Sequence, residues 1–145
     1  MSERACIDTN VLVYAYFRGA RHHGASHALL ERARSEPGEF CVAPQTLAEF
    51  YATVTNPKRV NPAKEPEVAL EAVGELLALP GMLVLLTPVD VVQRWVELLR
   101  RHPVTGQRMF DLQLIATMLG NGVRRIYTFN RADFEPFEEL EVLTP

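Results

Sequence analysis

The stretch Ala5-Cys6-Ile7-Asp8-Thr9-Asn10-Val11-Leu12 decides how the chain is read. Three apolar residues run straight into an acid, a threonine and an asparagine, and apolar residues then resume. A short apolar run bounded by turn residues reads as a buried strand, so Ala5 to Ile7 forms a strand that ends at Asp8. Asn10 is a residue type that caps helices, and the helix it opens is expected over Val11 to Tyr16.

The same alternation continues outward from this stretch. A second helix is expected over His22 to Arg34, with Ala25, Ala28 and Leu29 inward. Pro37-Gly38 turns the chain into a second strand, Phe40 to Ala43. Gln45 to Val54 reads as a helix with Leu47, Phe50, Tyr51 and Val54 on one face, stopped by Asn56-Pro57. After Pro66 a helix runs to about Leu79. Its apolar face is Ala69, Ala72, Val73 and Leu76, and Glu67, Glu71 and Glu75 form its solvated side. Leu83 to Leu86 is a third strand. Thr87, Pro88 and Asp90 resemble a helix start, with Val92, Trp95, Val96 and Leu99 as the core face of the helix that follows. Another helix covers Phe110 to Leu119 and ends at Gly120. Arg125 to Thr128 and Glu141 to Leu143 are the last strands. Strands alternating with helices predict a three-layer α/β fold around a mostly parallel sheet, in one domain spanning residues 1–145.

Composition narrows the function classes. The chain has 145 residues, 48% hydrophobic and 23% charged, as expected of a globular protein rather than a disordered or membrane one. The longest apolar run, Val11 to Phe17, is too short to span a bilayer, and Met1 to Arg4 begins no signal peptide. Cys6 and Cys41 sit among apolar residues and imply no disulfide framework, so a cytoplasmic location is expected. Fifteen basic residues against eighteen acidic ones leave a net charge of −3. Nucleic acid is therefore not gripped through bulk positive charge. The basic residues are Arg apart from Lys58 and Lys64, and Asp occurs only at 8, 90, 111 and 133.

Sites in open parallel sheets form beyond the carboxyl ends of the strands. Asp8 ends the first strand, and Asp133 follows the fourth. Glu49 lies on the helix after the second strand, and Asp111 opens the helix leading into the fourth. Asp111 continues the stripe Leu114, Ile115 and Met118, and a carboxylate placed there is costly unless something pairs with it. Each acid has a plainer reading alone: a helix-dipole acid for Asp111, a turn or cap for Asp8, a solvated Glu49 and a loop acid at Asp133. Together, four converging carboxylates without a matching lysine need a counter-charge. Hard oxygen donors in that number suit Mg²⁺ or Mn²⁺, which in pairs promote phosphodiester cleavage. His22, His23 and His27 lack an acid or cysteine at a spacing suited to zinc.

Taken in order, Ile7-Asp8-Thr9-Asn10-Val11-Leu12, Glu49-Phe50 with Val54-Thr55-Asn56-Pro57, Asp111 with Ile115-Ala116, and Thr128-Phe129-Asn130 with Asp133-Phe134 resemble the PIN domain. More narrowly, they resemble the VapC toxins of bacterial toxin–antitoxin pairs. The resemblance implies a five-stranded parallel sheet in the order 3-2-1-4-5 and Mg²⁺- or Mn²⁺-dependent endoribonuclease activity. Asp8, Glu49 and Asp111 match the three core acids. Asp133 matches a fourth, which in some relatives stands earlier, where this chain has Asn130. Thr9, Asn10, Thr128 and Asn130 match small polar positions that orient the ligands or water. A homodimer, a small VapB-type antitoxin and structured RNA, often tRNA, are implied as partners. Arg18, Arg21, Arg59, Arg108 and Arg131 are candidates to contact the RNA backbone.

Two readings compete within the fold: a PIN nuclease for RNA processing with no antitoxin, and a PIN-like binding module that has lost catalysis. Other folds fit less well. A haloacid dehalogenase phosphatase wants an Asp where Asn10 stands. A phospho-receiver domain wants an Asp where Thr87 stands.

Overall fold

Alternation along the strands sorts the core into two layers. The computed structural model describes residues 3–145; of the N-terminal stretch read for a signal peptide, Met1 and Ser2 lie outside the described residues. In β1 (Ala5–Ile7), Ala5 and Ile7 pack on one face of the sheet and Cys6 on the other. In β2 (Phe40–Val42), Phe40 and Val42 share the first face and Cys41 the second. All six of these side chains are buried, as a sheet covered on both sides requires.

The chain runs β1, α1 (Thr9–Tyr16), α2 (His23–Ser35), β2, α3 (Pro44–Val54), α4 (Pro66–Leu77), β3 (Met82–Val84), α5 (Val91–Arg101), α6 (Met109–Gly120), β4 (Arg125–Tyr127) and β5 (Glu141–Leu143). Single 3₁₀ turns precede α6 at Gly106–Arg108 and follow β4 at Arg131–Asp133. The five strands form one sheet in the order β3-β2-β1-β4-β5, and every neighbouring pair is parallel. The expected strand order is therefore found. Cys6 stands level with Cys41 on one side and Ile126 on the other. Both cysteines are free. The first face is covered by α1 to α4 through Val11, Leu12, Leu29, Phe50, Val54 and Ala69. The second is covered by α5 and α6 through Leu98, Leu112, Ile115 and Met118. No helix is long and apolar enough to cross a membrane among the described residues.

Several local expectations change. Helix α1 begins at Thr9, and Asp8 rather than Asn10 is its cap, accepting from the Thr9 amide. On α2 the buried side chains are Ser26, Leu29 and Ala33, while Ala25 and Ala28 face solvent; the helix is rotated from the expected face so that its small polar Ser26 sits inside. Thr87 and Pro88 do not start α5. The helix begins at Val91, Asp90 makes no side-chain cap, and its carboxylate accepts from Arg94 instead. On this helix Val92 faces outward, 51% exposed, and Leu98 is in the core. Pro88 is instead packed on the end of α6: a Cβ on Gly120 would lie 2.3 Å from Pro88 Cγ. Glycine is required there by close approach rather than by backbone conformation.

Candidate active site

Strands β1 and β4 lie side by side although they are far apart in sequence, and their connections leave in opposite directions. This is the switch point at which open α/β sheets bind ligands. Asp8 is the first residue past β1, and its amide donates to the Tyr127 carbonyl at 3.0 Å, so the turn is tied to β4. Both oxygens of its carboxylate are held, with acceptor capacity left on Oδ1. Oδ1 accepts from the Thr9 amide at 2.8 Å, and Oδ2 accepts from the Thr128 hydroxyl at 2.8 Å and the Asn10 amide at 3.3 Å. Asn10 accepts in turn from the Phe129 amide, and the Thr128 hydroxyl accepts from the Asn130 amide. Thr9, Asn10, Thr128 and Asn130 are thus all brought to Asp8. Burial pushes the Asp8 carboxyl up, the bonds from Thr128 and Thr9 oppose the shift, and the charges of Glu49 and Asp133 add to it.

Glu49 reaches the same place from α3. It is exposed, as its position off the Leu47–Tyr51–Val54 face predicts, but it faces the cleft. Oε1 accepts from the Gln45 amide at 2.7 Å, and Oε2 accepts from the Thr9 hydroxyl at 3.4 Å. The Gln45 amide also donates to the Phe110 carbonyl at 2.8 Å, which fixes its orientation, since the reversed amide would set oxygen against oxygen twice. The Gln45 carbonyl oxygen is left buried without a partner among the described residues. Gln45 therefore bridges α3 to the start of α6, one residue from Asp111. Sequence reading passed over it, although its position four residues before Glu49 on one helix was the available signal.

Asp111 sits half-buried in the first turn of α6, above buried Leu114, Ile115 and Met118. Its carboxyl is pushed up to about 7, first by burial and then by the charges of Asp133 and Asp8, with Arg108 opposing. One open cleft of about 830 Å³ is lined by Asp8, Thr9, Asn10, Glu49, Asp111 and Asn130. Asp133 does not line it. It sits in the turn after Asn130, with Arg108 Nε 3.7 Å from its Oδ1. Asn130 thus holds the wall position and Asp133 stands beside it, close enough for its charge to act on Asp8 and Asp111. Tyr14 and Gln107, which the sequence did not single out, share the walls with Gln45 and Arg59.

The histidines go elsewhere. His22 stacks on Phe129 with ring centroids 4.1 Å apart, and His23 bonds the Tyr14 carbonyl. Arg131 is spent on Glu135, the Val142 carbonyl and Thr144.

Hard carboxylate oxygens, no lysine among the lining residues and the raised carboxyls of Asp8 and Asp111 fit a divalent cation in donor chemistry. The side chains do not close on one point. Among the described residues, no three His, Cys, Asp or Glu side chains are already arranged to hold an ion.

The family model for the PIN domain matches residues 5–140. The chain is 37% identical over 76 residues to the ribonuclease VapC43 of Mycobacterium tuberculosis, a match that covers 52% of each. It thus spans about half the length of that curated relative. It is 28% identical over 142 residues to the ribonuclease VapC48 of the same species, covering 95% of this chain and 94% of the relative. Among solved structures it is similar to the Mycobacterium tuberculosis VapC20 toxin, described as cleaving the sarcin-ricin loop, with a TM-score of 0.69 and 20% identity over 94% of this chain and 98% of the other. It is also similar to VapBC2 from Rickettsia felis bound to a promoter DNA fragment, with a TM-score of 0.67 and 17% identity over 97% of each chain. These two likenesses are of fold. With its sheet order, its acids at the β1–β4 switch point and a family match over nearly its whole length, the chain belongs to the PIN domain family.

Proposed function

We propose that this protein is a divalent-metal-dependent endoribonuclease acting as the VapC-type toxin of a toxin–antitoxin pair. The observation that carries the reading is the convergence of Asp8, Glu49 and Asp111 on one open cleft with no lysine among its lining residues, in a chain whose relatives are named VapC ribonucleases.

Asp8, Glu49 and Asp111 would hold Mg²⁺ or Mn²⁺, with Asp133 as a fourth donor beside them. Such ions supply a Lewis acid for the scissile phosphate and an activated water. The chain's own work is orientation. Thr128 and the Thr9 amide fix the Asp8 carboxylate in one rotamer, Gln45 holds Glu49, and burial beneath Asp111 limits its movement. Such outer contacts set donor geometry and basicity. The raised carboxyls of Asp8 and Asp111 support a cation-binding role, because a bound cation offsets both the burial and the neighbouring negative charges that raise them.

A homodimer and a small VapB-type antitoxin are proposed as partners. Large exposed apolar side chains along β3 and into α5 (Leu83, Leu86, Val89 and Val92) support an interaction surface. The acids lining the cleft favour a nuclease over an inactive binding module. A processing nuclease without an antitoxin differs in genetic context, since a toxin should follow a short reading frame for a DNA-binding antitoxin.

Purified protein freed of any partner should cleave RNA with Mg²⁺ or Mn²⁺ and be silent in EDTA. Asp8→Asn and Asp111→Asn should abolish cleavage while circular dichroism stays native. Cleavage in EDTA, or by both variants at the wild-type rate, rejects the mechanism. Growth arrest on induced expression tests the toxin role separately.

A further inference from the structure

Helix α6 opens on a cation. Arg108 is its N-cap residue, at the end where the helix dipole disfavours positive charge, and it makes no side-chain capping bond there. A local rule broken beside a candidate site calls for a compensating role. Most of the chain's other arginines that reach a partner are committed. Arg94 donates to Asp90 at 3.0 Å, Arg101 to Glu139 at 2.7 Å, and Arg125 to Glu141 at 3.1 Å. Arg131 is held by three acceptors.

Arg108 differs from these four in both place and use. Its side chain is 49% exposed, and among the described residues its one ion pair is the long 3.7 Å approach to Asp133. Among the described residues its guanidinium makes no hydrogen bond, so its five N–H donors are unspent. It is not itself a lining residue of the cleft, but Gln107 before it and Phe110 and Asp111 just after it are, and its charge acts on the Asp111 carboxyl. A guanidinium fork matches two phosphate oxygens, and the carboxylate it now approaches is the nearest intramolecular stand-in for such an anion.

We propose that Arg108 grips the scissile phosphate of the RNA, leaving Asp133 as substrate enters and stabilising the charge that builds on the non-bridging oxygens. This rests on the endoribonuclease reading. Arg108 is thus a catalytic residue with a phosphate ligand, rather than a counter-ion for the acids. The two roles predict opposite responses. A counter-ion repels cations from the site, so its loss strengthens metal binding and leaves RNA affinity unchanged. A phosphate ligand's loss weakens RNA binding and lowers turnover.

The test uses Arg108→Ala and Arg108→Lys, with Arg34→Ala on α2 as the control. Cleavage of a labelled oligoribonucleotide is followed with Mn²⁺. Binding of the same oligoribonucleotide is measured in an Asp8→Asn background across a salt series, and Mn²⁺ affinity by calorimetry. Arg108→Ala should lower kcat about a hundredfold, the scale seen when one transition-state donor is removed. It should weaken RNA binding and flatten the salt slope by about one phosphate contact. Arg108→Lys should restore the salt slope but only part of kcat, because the point charge remains and the fork is lost. Unchanged RNA affinity and salt slope with tighter Mn²⁺ binding would overturn the proposal. So would wild-type turnover in Arg108→Ala. If wild-type protein itself cleaves no RNA, the ribonuclease reading fails instead.

Discussion

Thr128 donates its hydroxyl proton to Asp8 across the seam between β1 and β4, with 2.8 Å between Oγ1 and Oδ2. The two residues are 120 positions apart in sequence, and Thr128 is fully buried. The same hydroxyl accepts from the Asn130 amide at 2.9 Å, so one oxygen holds both the first acid and the loop that carries Asn130 and Asp133.

Replacing Thr128 by Val keeps the shape and removes the hydroxyl. The Asp8 carboxylate and the Asn130 amide each lose a partner, which should cost about 1–3 kcal/mol. Urea denaturation should show it as a lower midpoint at unchanged slope, and RNA cleavage should fall with it. Thr128→Ser keeps the hydroxyl and should retain most of both.

Gln45 is expected to act through Glu49. Gln45→Ala should raise the Mn²⁺ concentration for half-maximal cleavage by about tenfold or more, the usual effect of losing a residue that orients a metal ligand. Gln45→Glu should be worse than Ala, because it sets a second carboxylate against Glu49 and the Phe110 carbonyl. Metal titrations of cleavage compare the two, and equal half-saturation in Gln45→Ala and wild type would remove Gln45 from this role.

Asp111 gives a pH dependence with a definite sign. Its carboxyl titrates at about 7 in the folded protein, against the ordinary value of 3.8. The folded state therefore binds more protons than the unfolded state between about 4 and 7, and stability falls as pH rises through that window. In EDTA the protein should melt at a lower temperature at pH 8 than at pH 5. Asp111→Asn should remove part of that fall, stabilising at pH 8 and not at pH 4, as scanning calorimetry would show. A larger stabilisation at pH 4 than at pH 8 would contradict the assignment.

Gly120→Ala should destabilise by about 1–3 kcal/mol, the range for overpacking a filled site. The added Cβ meets Pro88 Cγ at 2.3 Å and Pro88 Cβ at 2.9 Å, and a proline ring has little freedom to withdraw. Pro88→Ala combined with Gly120→Ala should recover part of the loss in thermal melts, since the closest of these atoms is then gone.

The legible part of the fold was what chain-local patterning controls. Ala5 to Ile7 had to be a buried strand whatever surrounded it, and the α4 stripe of Ala69, Ala72, Val73 and Leu76 faces inward as its periodicity required. The order of the acids along the chain was equally plain, and with it the family resemblance. Faces were misread where small side chains gave weak contrast. Ser26 rather than Ala25 is inside on α2, where neighbouring residues of similar size differ too little in hydrophobicity to mark the buried face. Val92 faces outward on α5 while Leu98 is in the core, a rotation of the helix that the apolar spacing along it did not specify.

By itself, the sequence determined the alternating α/β architecture and the candidate acids Asp8, Glu49, Asp111 and Asp133. Periodicity and residue chemistry act within a few positions of the chain. Only the tertiary structure decided that Asn130 lines the cleft while Asp133 stands beside it, that Gln45 joins Glu49 to the start of α6, and that Arg108 reaches toward Asp133. Those relationships depend on how parallel strands bring distant turns to one edge of the sheet. Hydrogen bonds and charges act over distances in space that spacing along a chain does not record.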